Sequence, residues 1–160
     1  MIENGLYYID DSFFDIVRSL GGEWKDTKQR PVICLIKIEE SDDIAWAVPL
    51  GKYEHRTERQ KERIDKFLSC PDHDLRSCYY HIGRTTSKSI FFISDAVPIS
   101  DKYISSEHKG ADNKLFVVKN KTLISELRRK LFRILSMENS RPNYFRQHIT
   151  DIKQYLLKER

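Results

Sequence analysis

Residues 32–38, Val32-Ile33-Cys34-Leu35-Ile36-Lys37-Ile38, carry a single charge and four β-branched side chains. β-branched residues lose rotamer freedom in a helix and pack well on a pleated surface, so this run is a central strand covered on both faces. Residues 44–50 have the same character and follow as its partner, across a hairpin loop of Glu39, Glu40, Ser41, Asp42 and Asp43. A chain with such a pair at its centre must build a sheet and supply helices to cover it.

The remaining pattern provides both. Leu6-Tyr7-Tyr8-Ile9 reads as a short strand, and Asp10-Asp11-Ser12 offers cap chemistry for a helix with Phe13, Ile16, Val17 and Leu20 on its apolar face, stopped by Gly21-Gly22. Thr57-x-x-Gln60 resembles a capping box opening a helix over 58–68. Residues 78–82 and 89–93 read as strands joined by a basic turn, 96–99 as an edge piece because Pro98 cannot donate to a ladder, and 114–118 as a last strand. Leu123, Leu127, Leu131 and Ile134 then follow helical spacing, and Ser140 with Pro142 open a second helix carrying Phe145, Ile149, Ile152 and Leu156. The expected fold is α+β: one domain over residues 1–160, a strongly twisted antiparallel sheet surrounded by helices, with a helical C-terminus.

Within 160 residues, a charged fraction of 32% beside eight Tyr and eight Phe describes a polar but folded globule. No stretch has the length of a membrane span or the order of a signal peptide, which places the chain in the cytoplasm. Cys34, Cys70 and Cys78 form no CxxC pair, so neither a disulfide framework nor a zinc ribbon is expected, although Cys70-x2-His73 and Cys78-x2-His81 share a metal-like spacing. The net charge of +4 is unevenly spread: residues 102–133 hold nine basic side chains against three acidic ones. A basic patch from one segment suits a polyanion such as RNA, although a solvated helix face has the same composition.

Leu50-Gly51-Lys52-Tyr53-Glu54-His55-Arg56 is the candidate reactive segment, because a strand ends there in an ammonium, a phenol, an imidazole and a guanidinium. Those groups suit an anionic substrate, and Gly51 leaves room for a phosphate to approach the backbone. His55 is the histidine best placed for acid or base work, whereas His73 and His108 fall in loops expected to be solvent-exposed and His81 in a strand where it packs. Walker, GxGxxG, GxSxG and HExxH signatures are missing, and Asp10-Asp11 and Asp42-Asp43 fall where caps and turns explain them. What remains suits RNA cleavage without metal or cofactor, in which a base takes the 2′-OH proton, cations stabilise the phosphorane and an acid protonates the leaving 5′ oxygen.

The order Leu6-Tyr7-Tyr8-Ile9-Asp10, then Arg30-Pro31-Val32-Ile33-Cys34-Leu35, then Trp46-Ala47-Val48-Pro49-Leu50-Gly51-Lys52, then a basic helical C-terminus, resembles the endoribonuclease toxins of type III toxin-antitoxin systems, the ToxN and AbiQ superfamily, and within it the CptN and TenpN branches. The resemblance implies a sheet related to the MazF and Kid toxins. It also implies cleavage of cellular mRNA and of the toxin's own antitoxin precursor to 2′,3′-cyclic phosphates, with growth arrest and phage abortive infection as consequences. A small repeated pseudoknot RNA would be the inhibitor, closing with the protein into a cyclic protein-RNA assembly. Carried onto this chain, it puts Arg30, or its near neighbour Lys28, on the scissile phosphate. Where ToxN-like members follow Pro-Leu with small hydroxyl residues and a lysine, this chain has Gly51, Lys52, Tyr53, Glu54 and His55. The expected catalytic set is therefore Lys52 as phosphorane stabiliser, His55 as acid or base, Thr85 or Ser87 as hydroxyls from the opposite turn, and Tyr53 as a lesser candidate base. Lys28, Arg56, Arg84, Lys88, Lys109, Lys114, Lys119, Lys121, Arg128 and Arg129 are the expected RNA contacts. A non-catalytic RNA-binding module and an enzyme of small phosphorylated substrates are the competing readings.

Overall fold

The computed structural model describes residues 1–24 and 29–159; Lys28 lies outside them. Its organising element is strand β3 (Ser41–Lys52), whose twelve residues serve three partners. On one edge it pairs from Ser41 to Pro49 with β2 (Pro31–Ile38). On the other, Ile44 to Ala47 pair with β6 (Val97–Ser100), and Leu50 to Lys52 with β5 (Lys88–Phe92). With β1 (Leu6–Ile9), β4 (Tyr80–Arg84) and β7 (Ile104–Glu107), the sheet runs β4-β5-β3-β2-β1-β7, with β6 beside β3 and every pair antiparallel. The chain is thus α+β, as the strand and helix periods required.

Period-two alternation divides the core. Leu6, Ile33, Val48, Leu50 and Phe91 pack beneath helix α3 (Lys121–Ser140), on Leu123, Leu127, Leu131 and Ile134. Tyr7, Ile9, Val32, Ala45, Ala47 and Ile99 face the other way, against Phe13 and Val17 of α1 (Asp11–Ser19) and Ile152 and Leu156 of α4 (Ile149–Lys158). Helix α2 (Glu58–Leu68) follows β3 after a single 3-10 turn, Tyr53–His55. Local chemistry fixes the helix starts: Asp10 accepts from the Ser12 amide at 2.9 Å, and Thr57 and Gln60 exchange both bonds of a capping box.

Several expectations are corrected. The hairpin loop shortens to Glu39-Glu40, because β3 already begins at Ser41. The strand expected over 78–82 starts at Tyr80, after a 3-10 turn, Leu75–Cys78. Residues 114–118 form no strand but two isolated bridges, Lys109 to Leu115 and Gly5 to Val117. The edge of β1 is taken first by β7, an unforeseen polar strand, and the chain then returns so that Leu6 donates to the Phe116 carbonyl and Val118 to that of Asn4, both at 3.0 Å. The last helix opens at Ile149 rather than at Ser140 and Pro142. Helix α3 runs through Ser140, then Asn143 and His148 take left-handed backbone (φ 60° and 59°), and the buried Glu138 carboxylate accepts from the Asn143 amide and the Thr150 hydroxyl, each at 2.5 Å. Among the described residues no helix is long and apolar enough to cross a membrane.

Candidate active site

Past Leu50 the sheet loses its cover, and alternation sends the next two residues of β3 to opposite faces: Lys52 to the α3 side, Gly51 to the α2 side. The candidate residues are therefore divided by the sheet.

On the α3 side, the phenol of Tyr8 lies 2.8 Å from Nδ1 of His108, with the rings tilted at 59°. His108 is half-buried, not the exposed loop residue expected from its sequence context. Its amide donates to the Leu6 carbonyl and its carbonyl accepts from the Phe116 amide, both at 2.9 Å, so its backbone is held on both sides. Burial first, and the charge of nearby Lys52 second, hold its imidazolium pKa below the ordinary value. The ring is therefore neutral at pH 7, with one nitrogen committed to Tyr8. If Nδ1–H donates to the phenol oxygen, Nε2 keeps a lone pair for a substrate proton; in the other tautomer Tyr8 donates and Nε2–H is the donor.

Opposite Lys52 in the ladder stands buried Ser89, whose hydroxyl donates to the Ser87 carbonyl at 3.0 Å and meets Thr85 Oγ1 at 2.8 Å. The structure thus brings Lys52 to the hydroxyl turn, with Ser87 contributing its carbonyl there. Beyond this turn lies a groove of about 790 Å³ lined by Arg84, Lys114, Phe116 and Lys119. Its far wall begins two residues after His108, and Lys109 and Lys121 stand exposed beside it in sequence.

On the α2 side, a Cβ at Gly51 would sit 2.6 Å from Arg30 Nη1, so the missing side chain is what admits that guanidinium. Arg30 and Arg56 lie over the Phe92 ring, at 5.4 and 5.6 Å from its centroid. The Tyr53 ring packs between Lys88 at 4.1 Å and Lys61 at 5.2 Å. His55 is exposed at the end of the 3-10 turn, and among the described residues its side chain enters no hydrogen bond or ion pair.

The basic segment is less available than its composition suggests. Arg128 reaches Glu3 at 2.6 Å and the Leu35 carbonyl at 3.2 Å, Arg129 pairs with Glu126 at 2.9 Å, and Arg133 holds the carbonyls of Asp72 and His73. Lys130 is buried and donates to the Tyr80 carbonyl at 2.8 Å. Arg128, Lys130 and Arg133 tie α3 to the sheet and the 72–80 segment, while Arg129 pairs within the helix. His81 faces the same helix and is depressed to about 4, by burial first and the Lys130 charge second, so it packs as expected. Cys78 is buried, with its Sγ 3.4 Å from Arg133 Nη1.

Sequence reading missed Tyr8 and His108. Tyr8 carried a signal, since it follows a core position by two in a strand that ends at Ile9. His108 carried none, because it is defined only by the return of a loop. No protein-family model and no curated protein matches the chain.

Proposed function

We propose that this chain is an endoribonuclease toxin of the type III kind, cleaving single-stranded RNA at the Tyr8, His108 and Lys52 cluster. One observation carries the reading: a histidine held neutral, hydrogen-bonded to a phenol and next to a lysine, beside a groove lined with Arg84, Lys114 and Lys119. The similarity of the flanking segments to the type III toxins supplies the reaction. His108 Nε2 takes the 2′-OH proton, the 2′ oxygen attacks phosphorus, and a 2′,3′-cyclic phosphate forms as the bond to the 5′ oxygen breaks. The Lys52 ammonium stabilises the phosphorane, the Tyr8 phenol protonates the departing oxygen, and the extra proton on His108 then passes across the Nδ1–phenol hydrogen bond to Tyr8, which returns both groups to their neutral forms. No step in this sequence requires a metal. His108 takes the role expected of His55.

The cytoplasmic setting, the mRNA substrate and the pseudoknot RNA inhibitor closing a cyclic protein-RNA complex belong to the same proposal. The test is cleavage of end-labelled RNA in EDTA by wild type, His108→Ala, Lys52→Ala and His55→Ala. Cyclic-phosphate ends that vanish with His108→Ala and Lys52→Ala and persist with His55→Ala are expected. Full activity in the first two variants, or a requirement for magnesium, would overturn it. Binding without cutting would leave an RNA-binding module.

A further inference from the structure

The α2 face carries a second cleft, which the reaction above does not use. Its volume is about 620 Å³, and Arg56, Arg63, Tyr80, Phe92, Tyr144 and Arg146 line it, with Asp95 as the only carboxylate of the wall among the described residues. That size is typical of a small-ligand site. The lining is unusual in composition: three guanidiniums and five aromatic rings, those of Tyr79, Tyr80, Phe92, Tyr144 and Phe145, meet in one concavity. A simple anion site needs cations but no rings, and an apolar docking groove has no use for three arginines.

The rings are not merely core. Tyr80 and Phe92, both of the cleft wall, meet edge-on at 6.2 Å, and Tyr144 is 45 % exposed, propped edge-on against Phe145 at 5.1 Å. Arg56 lies over Phe92, Arg63 lies over Phe67 and Arg146 reaches Asp95 at 3.0 Å, so all three guanidiniums are positioned rather than free-swinging. Planar groups with a π face and a phosphate in close succession are what such a wall recognises, and that description fits an unpaired nucleotide, whose base faces are open. The location adds a second argument. Phe92 and Arg56 join this cleft to Gly51, and Lys52 is the next residue on the opposite face.

We infer that the α2-face cleft holds an unpaired nucleotide of the bound RNA, stacked on Tyr80 or Tyr144 with its phosphate on Arg56, Arg63 or Arg146. It lies apart from the cleavage centre and acts in choosing where the strand is held. The inference rests on the RNA reading for the identity of the polymer, and binding tests it independently of cleavage. The probe is a fluorescent 2′-O-methyl octanucleotide pool, randomised at every position, which cannot be cut because its nucleophile is blocked; an abasic backbone of equal length is the control. Tyr144→Ala and Arg63→Glu should each weaken binding of the pool about tenfold. Tyr144→Ala should leave abasic binding unchanged, whereas Arg63→Glu should weaken that too. Equal affinity of wild type for pool and abasic backbone, or unchanged binding in both variants, would overturn the cleft as a base site. Adenosine monophosphate binding as tightly as the pool would overturn its assignment to RNA. If wild type cuts no RNA but Tyr144→Ala still loses binding, the cleft stands and the nuclease reading falls.

Discussion

Tyr8 and His108, one hundred residues apart in the chain, meet at 2.8 Å across the β1 and β7 edge of the sheet. Neither is remarkable as an amino acid at its position. Their value lies in a shared hydrogen bond next to Lys52, at a point where the ladder holds both backbones.

The first expectation concerns acid pH. Because the His108 pKa is lowered in the fold, its neutral, base-competent form is present down to below the ordinary value near 6.5, and cleavage should rise with pH through a midpoint under that value. Lys52→Met should slow cleavage by about 10²- to 10³-fold, the scale for losing one oxyanion donor. It should also move the midpoint upward, since the Lys52 charge helps depress it. Single-turnover rates against pH measure both, and a lower rate with an unmoved midpoint would separate the two residues.

Salt dependence distinguishes the groove from the helix. Arg84→Ala, Lys114→Ala and Lys119→Ala should each reduce the slope of log affinity against log salt for single-stranded RNA by about 0.7. Arg128→Ala should leave that slope unchanged and instead lower stability by about 1 kcal/mol, because its guanidinium is held by Glu3 and the Leu35 carbonyl. Fluorescence titrations at several salt concentrations and thermal melts suffice.

Two glycines should respond to alanine to different degrees. A Cβ at Gly22 would lie 2.4 Å from the Gln147 carbonyl oxygen, part of a backbone that cannot step aside, so Gly22→Ala should cost about 1 to 3 kcal/mol in urea denaturation. At Gly51 the obstacle is the end of the Arg30 side chain, 2.6 Å away, and Gly51→Ala should stay within about 0.5 kcal/mol while displacing that guanidinium from Phe92.

Stability should fall in acid through His81. Its folded pKa is about 4, below the unfolded value near 6.5, so its neutral form favours folding above 6.5 and this contribution is lost as pH falls from there to about 4. The loss amounts to about 3 kcal/mol at most, one pKa unit being worth ~1.4 kcal/mol. His81→Leu should flatten the stability curve over this window. Lys130→Met should raise the His81 pKa, readable by NMR titration, since the Lys130 charge is its second cause.

How much of this was legible in the chain differs by element. The α2 helix was readable to the residue, because Thr57 and Gln60 form a purely local capping box. The 114–118 strand was not, because its residues make only isolated bridges, Leu115 to Lys109 and Val117 to Gly5, beside a β1 edge that β7 had already occupied. Likewise Arg128, Arg129 and Arg133 read as a basic face, yet their partners Glu3, Glu126 and the 72–73 carbonyls decide how much charge remains for a ligand.

From the sequence alone came the β2 and β3 pair, the α+β class, the helix starts at Asp10 and Thr57, and the density of cations after Leu50. These follow from side-chain period and local hydrogen bonding, which act over a few residues. Tertiary structure alone decided that Lys52 and Arg30 stand on opposite faces, that His108 rather than His55 gains a hydrogen-bonded phenol, and that a cleft rich in arginine and tyrosine forms beside α2. Those outcomes depend on which distant segment closes each edge and face of the sheet, and that is a property of the packed chain rather than of any window within it.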